Sequence, residues 1–321
     1  MDTTFVPPSR AILTDCVRSA GTAPSLHNSQ PWLFRVAPPA IDVFADPARR
    51  LPVVDPEGRE HLISVGAAVL TLRLAVRHAG YSVRTELRAG DLTSGDAPSL
   101  AATVIAGRPR RPDRVTEALA AAIPHRHTNR WPFAQVAVPA DAIERLRAAA
   151  REEGATLTLA PPAARDAILG LARAADRWLS TRPHHAEEIA RWTGRDVRHD
   201  GVPEWAAGPW DALEVMPVRD FAGLPRERVP FEPYPTVLVL STDDDGPQDW
   251  LRAGQALQRV LLTATWLGLA TTPISQPVEV PFIRAELTRR PAQMVLRVGY
   301  GRVAAGTPRR SLNELLIPAE T

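Results

Sequence analysis

The stretch APSLHNSQPW (residues 23–32) places a run of hydrogen-bonding side chains between two prolines, directly before an apolar segment. Four of them are candidates for ligand contacts: Ser25, His27, Asn28 and Gln30. One interpretation is a surface turn stabilised by local Asx-type hydrogen bonds, which needs only one or two such groups. The other is a ligand site over the end of a sheet, where a polar ligand could use all four.

The stretch HRHTNRWPF (residues 125–133) has a residue spacing that suits an anion. Arg126, Thr128 and Arg130 alternate, and in an extended segment their side chains point to the same side. Two guanidinium groups and a hydroxyl could then hold a phosphate-like group by charge-assisted hydrogen bonds. A solvated basic patch is the alternative, although the adjacent Trp and Phe favour a segment that is anchored on the fold.

Two stretches nearer the C-terminus could also contact a ligand. In GLATTPISQP (268–277), Pro273 fixes φ and removes a donor, so the chain is expected to be extended and its backbone groups need partners. A planar heterocycle or an ordinary sheet edge could supply those partners. In GTPRRSLNELL (306–316), Arg309 and Arg310 follow the last predicted strand, where arginines are usually solvated.

Hydrophobic periodicity predicts the helices and strands that must position these stretches, in an α+β chain. Helices are predicted at residues 9–20, 59–80, 140–154, 164–179 and 249–269. Strands are predicted at residues 32–36, 40–45, 101–107, 155–160, 236–241 and 292–301. The first stretch therefore precedes a strand, and residues 268–277 follow a long helix.

The chain repeats itself. Its two long helices match at an offset of 188 residues, through the pairs Gly66 and Gly254, Ala68 and Ala256, and Gly80 and Gly268. VAPPA (36–40) and LAPPA (159–163) match at an offset of 123. Matches in the same order predict an internal duplication, with a first half at 1–122 and a second half at 123–321.

Because the offset between matching residues rises from 123 to 188 along the chain, the second half contains additional residues. They include a Trp- and Pro-rich stretch at about 192–235 that has no clear periodicity. Because disordered segments are poor in Trp, this stretch is predicted to be an ordered lid.

Composition excludes several classes of protein. All 38 basic residues are Arg against 36 acidic ones, and the net charge of +2 is too balanced for a nucleic-acid-binding surface. Cys16 is the single cysteine, and the spacing of His184, His185 and His199 fits no usual ligand set, so neither a disulfide nor a metal site is predicted. No apolar run reaches membrane-spanning length and no secretory signal is visible, so the prediction is a cytoplasmic protein without membrane association.

Together, the four stretches resemble those of the FMN-dependent nitroreductase superfamily, most closely its Acg-like subfamily of FMN-binding oxidoreductases. APSLHNSQPW is similar to the superfamily's Pro-Ser-x-x-Asn-x-Gln-Pro-Trp turn. RHTNRWPF (126–133) is similar to the Arg-x-Ser/Thr-x-Arg/Lys-x-x-Phe element that holds the FMN phosphate. GLATTPISQP resembles the Gly-Leu-…-Pro-Ile segment whose backbone faces the isoalloxazine N5, and RVGYG…PRR resembles the closing strand with its basic residues.

The resemblance implies FMN as the cofactor and assigns contacts to the four stretches. The contacts from the first half would be Pro24, Ser25, His27, Asn28 and Gln30. The phosphate would be held by Arg126, Thr128, Arg130 and one of Arg309 and Arg310. The ring would lie along Pro273, Ile274, Ser275 and Gln276, where the Ser-Gln pair departs from the Glu-Gly of typical members.

Homodimers of the superfamily hold two FMN molecules at the subunit interface, whereas this chain divides the same elements between its halves. The first half keeps the Pro-Ser-x-x-Asn turn but lacks the Arg-x-Thr-x-Arg element, and the second half shows the reverse. The resemblance therefore implies an α+β nitroreductase-like fold in which one chain mimics the dimer. We expect a monomer with one FMN between its halves.

The implied reaction is hydride transfer from NAD(P)H, through flavin N5, to a nitroaromatic, a quinone or a similar flat acceptor. The flavin carries the chemistry, so no side chain is assigned as catalytic. One alternative is an FMN-binding protein whose lid occludes the flavin and which has little reductase activity. A second alternative is a specialised flavin-dependent oxidase or dehydrogenase that acts on a tailored metabolite.

Overall fold

Two four-stranded antiparallel sheets and a central pair of long helices organise the fold in the computed structural model. The structure describes residues 6–88, 95–194, 199–221 and 223–318. Within them the chain is α+β, as the sequence predicts. No helix in these four ranges is both long enough and apolar enough to cross a lipid bilayer.

The first sheet is built from the N-terminal part of the chain. Its strands are β1 (Trp32–Ala37), β2 (Ala40–Ala45), β3 (Tyr81–Leu87) and β4 (Ser99–Pro109), in the order β1-β2-β4-β3. The helices of this part are α1 (Arg10–Ala20), α2 (Arg59–His78) and α3 (Arg114–Ala122). The sequence predicts β1, β2 and β4 but not β3, because most residues of β3 are half-buried and show no alternation.

The second sheet and its helices come from the rest of the chain. The helices are α4 (Ala140–Arg151), α5 (Pro162–Ser180), α6 (His185–Arg191), α7 (Pro247–Trp266), α8 (Gln276–Glu279), α9 (Pro281–Arg284) and α10 (Leu312–Leu315). Four two-residue strands form two small ladders: β6 (Thr193–Gly194), β7 (Val202–Pro203), β8 (Trp210–Asp211) and β9 (Arg228–Val229). The sheet itself contains β5 (Thr156–Leu159), β10 (Thr236–Ser241), β11 (Ala270–Ile274) and β12 (Ala292–Gly299), in the order β11-β12-β10-β5.

The two long helices, α2 and α7, cross where their sequences match. A Cβ atom added to Gly254 would lie 2.0 Å from the carbonyl oxygen of Ile63 and 2.9 Å from the Cα of Gly66. A Cβ on Gly66 would lie 2.2 Å from the carbonyl oxygen of Leu251. Both glycines are therefore required for the close approach of the two backbones. The matched residues of the duplication meet at the centre of the molecule.

The end of the chain returns to the first sheet. The backbone N–H of Ile317 donates to the carbonyl oxygen of Phe34 at 2.9 Å, and the side chain of Leu315 is 2% exposed within the main core. This return brings residues 306–310 next to the turn at residues 23–32, although the two segments are far apart in sequence.

Candidate functional site

Two adjoining cavities lie beside the central helices. The larger cavity is walled by apolar side chains of α2 and α7 and by residues 272–276, 216–219 and 221. The smaller cavity is lined mainly by polar side chains: Ser25, Asn28, Arg126, His127, Thr128, Arg130, Thr307 and Arg309. Both cavities share Pro24, Ser25, Thr128 and Arg130 as lining residues. An apolar slot therefore ends in a polar pocket.

The turn at residues 24–30 has an unusual backbone. His27, Asn28 and Gln30 have φ angles of 48°, 55° and 51°, which lie in the left-handed region. Non-glycine residues adopt this conformation at a cost, and such residues cluster at functional sites. Ser25 stabilises the turn, because its Oγ accepts a hydrogen bond from the backbone N–H of Gln30 at 2.9 Å.

The polar side chains of this turn bind distant segments of the chain. Asn28 Nδ2 donates to the carbonyl oxygens of Gly201 and Pro308 at 2.9 and 3.0 Å. Asn28 Oδ1 accepts a hydrogen bond from Arg309 Nη1 at 2.9 Å. These bonds span more than 170 residues of sequence, so the interpretation as a self-contained surface turn is wrong.

Gln30 and Arg310 lie behind the cavities and line neither of them. Gln30 is fully buried, and its Oε1 accepts from the backbone N–H of Arg310 at 2.8 Å. Arg310 Nη1 donates to the carbonyl oxygens of Gln30 and Trp32. The structure thus separates the two neighbouring arginines: Arg309 lines the smaller cavity, and Arg310 fastens the C-terminal segment to the turn.

Arg126 and Arg309 place two buried guanidinium groups at the smaller cavity. Arg126 is 4% exposed, its Nε has no hydrogen-bond partner, and no ion pair to it occurs among the described residues. Burial, together with the charge of Arg309, lowers the pKa of Arg126 to about 9. Burial also lowers the pKa of Arg309 to about 10. Buried cations without a carboxylate are costly, so this cavity is suited to an anionic ligand.

Thr128 and Arg130 lie on the same extended segment as Arg126. The segment is held against β11, since the N–H of Asn129 donates to the carbonyl oxygen of Thr271 at 2.9 Å. All three alternating side chains line the smaller cavity, and so does His127, which lies between Arg126 and Thr128. Arg130 also donates from Nη1 to the carbonyl oxygen of Ala206 at 2.9 Å.

Residues 273–276 line the larger cavity and also belong to a sheet edge. Through Ile274, β11 pairs with β12 at the edge of the second sheet, and the chain then enters α8 at Gln276. The sequence predicts an extended chain as far as residue 277, and this prediction is wrong for residues 276 and 277, which are helical. Pro277 lies in the first turn of α8, where proline costs no hydrogen bond. The sheet-edge interpretation applies through Ile274, and the ligand contact stays a prediction for residues that line the cavity.

A covering segment, residues 199–221 and 223–231, closes the larger cavity. Met216, Phe221 and Phe231 line this cavity and are 6%, 3% and 3% exposed. Arg219 of this segment forms a buried ion pair with Glu279 and donates to Ser275 Oγ at 3.3 Å. Within the predicted lid, residues 195–198 and 222 lie outside the described residues.

Three charged residues of the larger cavity were not among the predicted site residues: Glu60, Arg219, and Arg297 of β12, which forms a buried ion pair with Glu232. Glu60 begins α2 and is 2% exposed, and Arg219 comes from the covering segment. The signal for Glu60 was an Arg-Glu pair at the start of a helix that is otherwise largely apolar. His27 also lines this cavity, and burial, aided by the charges of Arg219 and Arg130, lowers its pKa well below the usual range.

A third cleft occupies the duplicated position on the other side of the helix pair. At the offset of 188 residues, five lining residues of the larger cavity correspond to five of this cleft: Ser64 to Arg252, Ala67 to Gln255, Leu261 to Arg73, Pro273 to Thr85 and Ser275 to Leu87. Arg73 donates to Glu153 Oε2 and to Gln255 Oε1, each at 2.6 Å. Three of these five positions carry Arg or Gln in the third cleft, where the larger cavity has Ser64, Ala67 and Leu261.

The two adjoining cavities suit an elongated ligand with a flat apolar end and an anionic end. No protein-family model matches the sequence. The chain is 35% identical to "Putative NAD(P)H nitroreductase Rv3131" of Mycobacterium tuberculosis, over 96% of this chain and 90% of that protein. It is 31% identical to "Putative NAD(P)H nitroreductase acg" of the same species, over 96% of this chain and 97% of that protein.

Among solved structures, a nitroreductase with bound FMN from Bacteroides fragilis matches with 17% identity and a TM-score of 0.36, over 62% of this chain and 94% of that one. The identity to the mycobacterial proteins over nearly the full length is what decides the classification. The chain belongs to the nitroreductase family.

Proposed function

We propose that this protein is an FMN-dependent oxidoreductase that passes hydride from NAD(P)H to a flat acceptor such as a nitroaromatic or a quinone. The observation that carries the proposal is the pair of arginines at one end of a mainly apolar slot, the buried Arg126 and the half-buried Arg309, each with a buried Nε that has no partner. FMN has a phosphate at one end and a planar ring at the other. The charge and shape of the two cavities match that molecule.

The residues present fit FMN. Arg126 Nε and Arg309 Nε are buried donors without a partner, as an incoming phosphate requires. Side chains of α2 and α7, among them Ala67 and Leu257, would pack on one face of the ring, and residues 273–276 would lie along it. When bound, FMN supplies the two-electron chemistry, while the chain supplies binding and orientation.

One FMN per chain follows from the comparison of the two sides of the helix pair. The cleft that corresponds to the larger cavity contains Arg73, Glu153 and Arg252, so a planar apolar ring would have to displace an ion pair there. This supports halves at residues 1–122 and 123–321 that act as the two subunits of a dimer, within a monomer. A cytoplasmic location stays a prediction from the sequence.

A second candidate function, FMN sequestration, is favoured by the covering segment. Met216, Phe221 and Phe231 close the larger cavity, and Arg130 and Arg219 fasten the segment to the rest of the chain. If the segment stays closed, a nicotinamide has no access to the ring. The protein would then bind FMN and turn over slowly.

The two candidates differ in the reductant that the bound flavin accepts. We expect anaerobic NADPH or NADH to bleach the absorbance of FMN bound to the purified protein within seconds to minutes. A benzoquinone added afterwards should restore the absorbance. Stopped-flow absorbance checks both steps, with dithionite as the positive control for reducible flavin. Bleaching by dithionite alone would contradict the reductase and support sequestration.

A further inference from the structure

Glu60 is the only carboxylic acid among the described residues that line the larger cavity. It lies in the first turn of α2 and is 2% exposed. Its Oε1 accepts a hydrogen bond from Arg59 Nη2 at 3.0 Å, and its Oε2 is buried without any partner. Arg59 is itself held in place, because its Nη1 donates to the carbonyl oxygen of Gln293 at 2.8 Å.

The charged groups around Glu60 come from four parts of the chain. Arg59 is its neighbour on α2, and Asp55 lies in the loop before that helix. Glu279 of α8 and Arg219 of the covering segment face it from the second half and are paired with each other. Burial, followed by the negative charge of Glu279, raises the pKa of Glu60 well above its usual range, and Arg59 opposes this shift. The raised pKa favours the protonated form of Glu60.

Among the described residues that line the larger cavity, the other titratable side chains are His27 and three arginines. His27 carries no acidic proton to spare, because burial keeps its ring uncharged. Arg130, Arg219 and Arg297 retain their protons in proteins. Glu60 alone combines an available proton with a position at the cavity wall.

We propose that Glu60 is the proton donor to the electron acceptor, a proposal that rests on the function given above. Reduction of a quinone to a hydroquinone takes one hydride and one proton. The hydride, which originates from NAD(P)H, supplies both electrons. The Glu60 O–H bond breaks as an O–H bond forms on a quinone oxygen, leaving a Glu60 carboxylate beside Arg59. Water returns the proton after the hydroquinone leaves.

The first test requires no turnover. Infrared spectra of the purified protein at pH 7 should contain a carbonyl band of a buried, protonated carboxylic acid. The band should be lost in Glu60→Gln and kept in Glu57→Gln, a matched change at an exposed glutamate three residues earlier. A spectrum in which Glu60→Gln removes no such band overturns the proposal.

The second test separates the acceptor step from the reductant step. After the bound flavin has been reduced with dithionite, benzoquinone should reoxidise it about 100- to 10,000-fold more slowly in Glu60→Gln than in wild type. Loss of a general acid has an effect of this size. Its rate of reduction by NAD(P)H should fall far less than its rate of reoxidation, because glutamine keeps the shape and the bond from Arg59. Glu60→Asp, which keeps the acid, should recover part of the rate.

If the bound flavin is reoxidised at the same rate in wild type and in Glu60→Gln, the proposal for Glu60 is overturned. If NAD(P)H cannot reduce the flavin bound to the wild-type protein, the proposed function fails instead.

Discussion

Replacing Arg126 by methionine is expected to weaken FMN binding about 10- to 100-fold, the loss of one charge-assisted hydrogen bond of about 1.5–3 kcal/mol. The same change should stabilise the flavin-free protein by about 1–3 kcal/mol, because it removes a buried cation that has no carboxylate partner. Methionine fills similar space without a charge. FMN fluorescence titration measures the first effect, and urea unfolding of flavin-free protein measures the second.

The opposite signs of the two effects identify a binding residue rather than a structural one. Arg111→Met, at an exposed arginine, is the matched control and should leave both quantities unchanged. If Arg126→Met destabilises the flavin-free protein and leaves FMN affinity unaltered, Arg126 is structural and the proposed phosphate site is wrong.

Among the glycines whose surroundings the structure describes, Gly254 is expected to give the largest effect on folding when it is replaced by alanine. The new Cβ would lie 2.0 Å from the carbonyl oxygen of Ile63, so α2 and α7 would have to move apart. Overpacking usually costs about 1–3 kcal/mol, and a clash with backbone in the central helix pair belongs at or above the upper end of that range. Because Ile63 and Leu257 also wall the larger cavity, FMN retention should fall as well.

Gly170→Ala provides the control for this prediction. Gly170 also lies within a helix, α5, but a Cβ there would meet nothing within 4 Å. Alanine in an open helical position should be neutral or stabilise by about 0.5–1 kcal/mol. Urea unfolding midpoints compare the two variants. If the urea midpoint of Gly254→Ala equals that of the wild-type protein, the matched glycines of α2 and α7 do not meet.

Much of the fold could be predicted from the sequence, because the long helices and the buried strands carry strong periodicity. The match of Gly66 with Gly254 also predicted a duplication, and the structure places the two residues in contact. The strand β3 was missed because its residues are half-buried on an edge. Ladders of two residues, such as β6 and β7, are too short to leave a periodic signal.

The candidate site could be predicted only where its residues lie in one short stretch. Arg126, Thr128 and Arg130 come from one such stretch, and all three line the smaller cavity. The different positions of Arg309 and Arg310 depend on a turn some 280 residues away, which no local pattern encodes. Glu60 and Arg219 were missed for the same reason.

The most direct measurement is the molar ratio of bound FMN to chain. Protein is saturated with FMN, freed of excess by gel filtration and denatured, and the released flavin is quantified by absorbance against the protein concentration. One FMN per chain is expected, from a species with the mass of a single chain. Two FMN per chain would contradict the loss of the second slot to Arg73 and Glu153. No FMN would contradict the site itself.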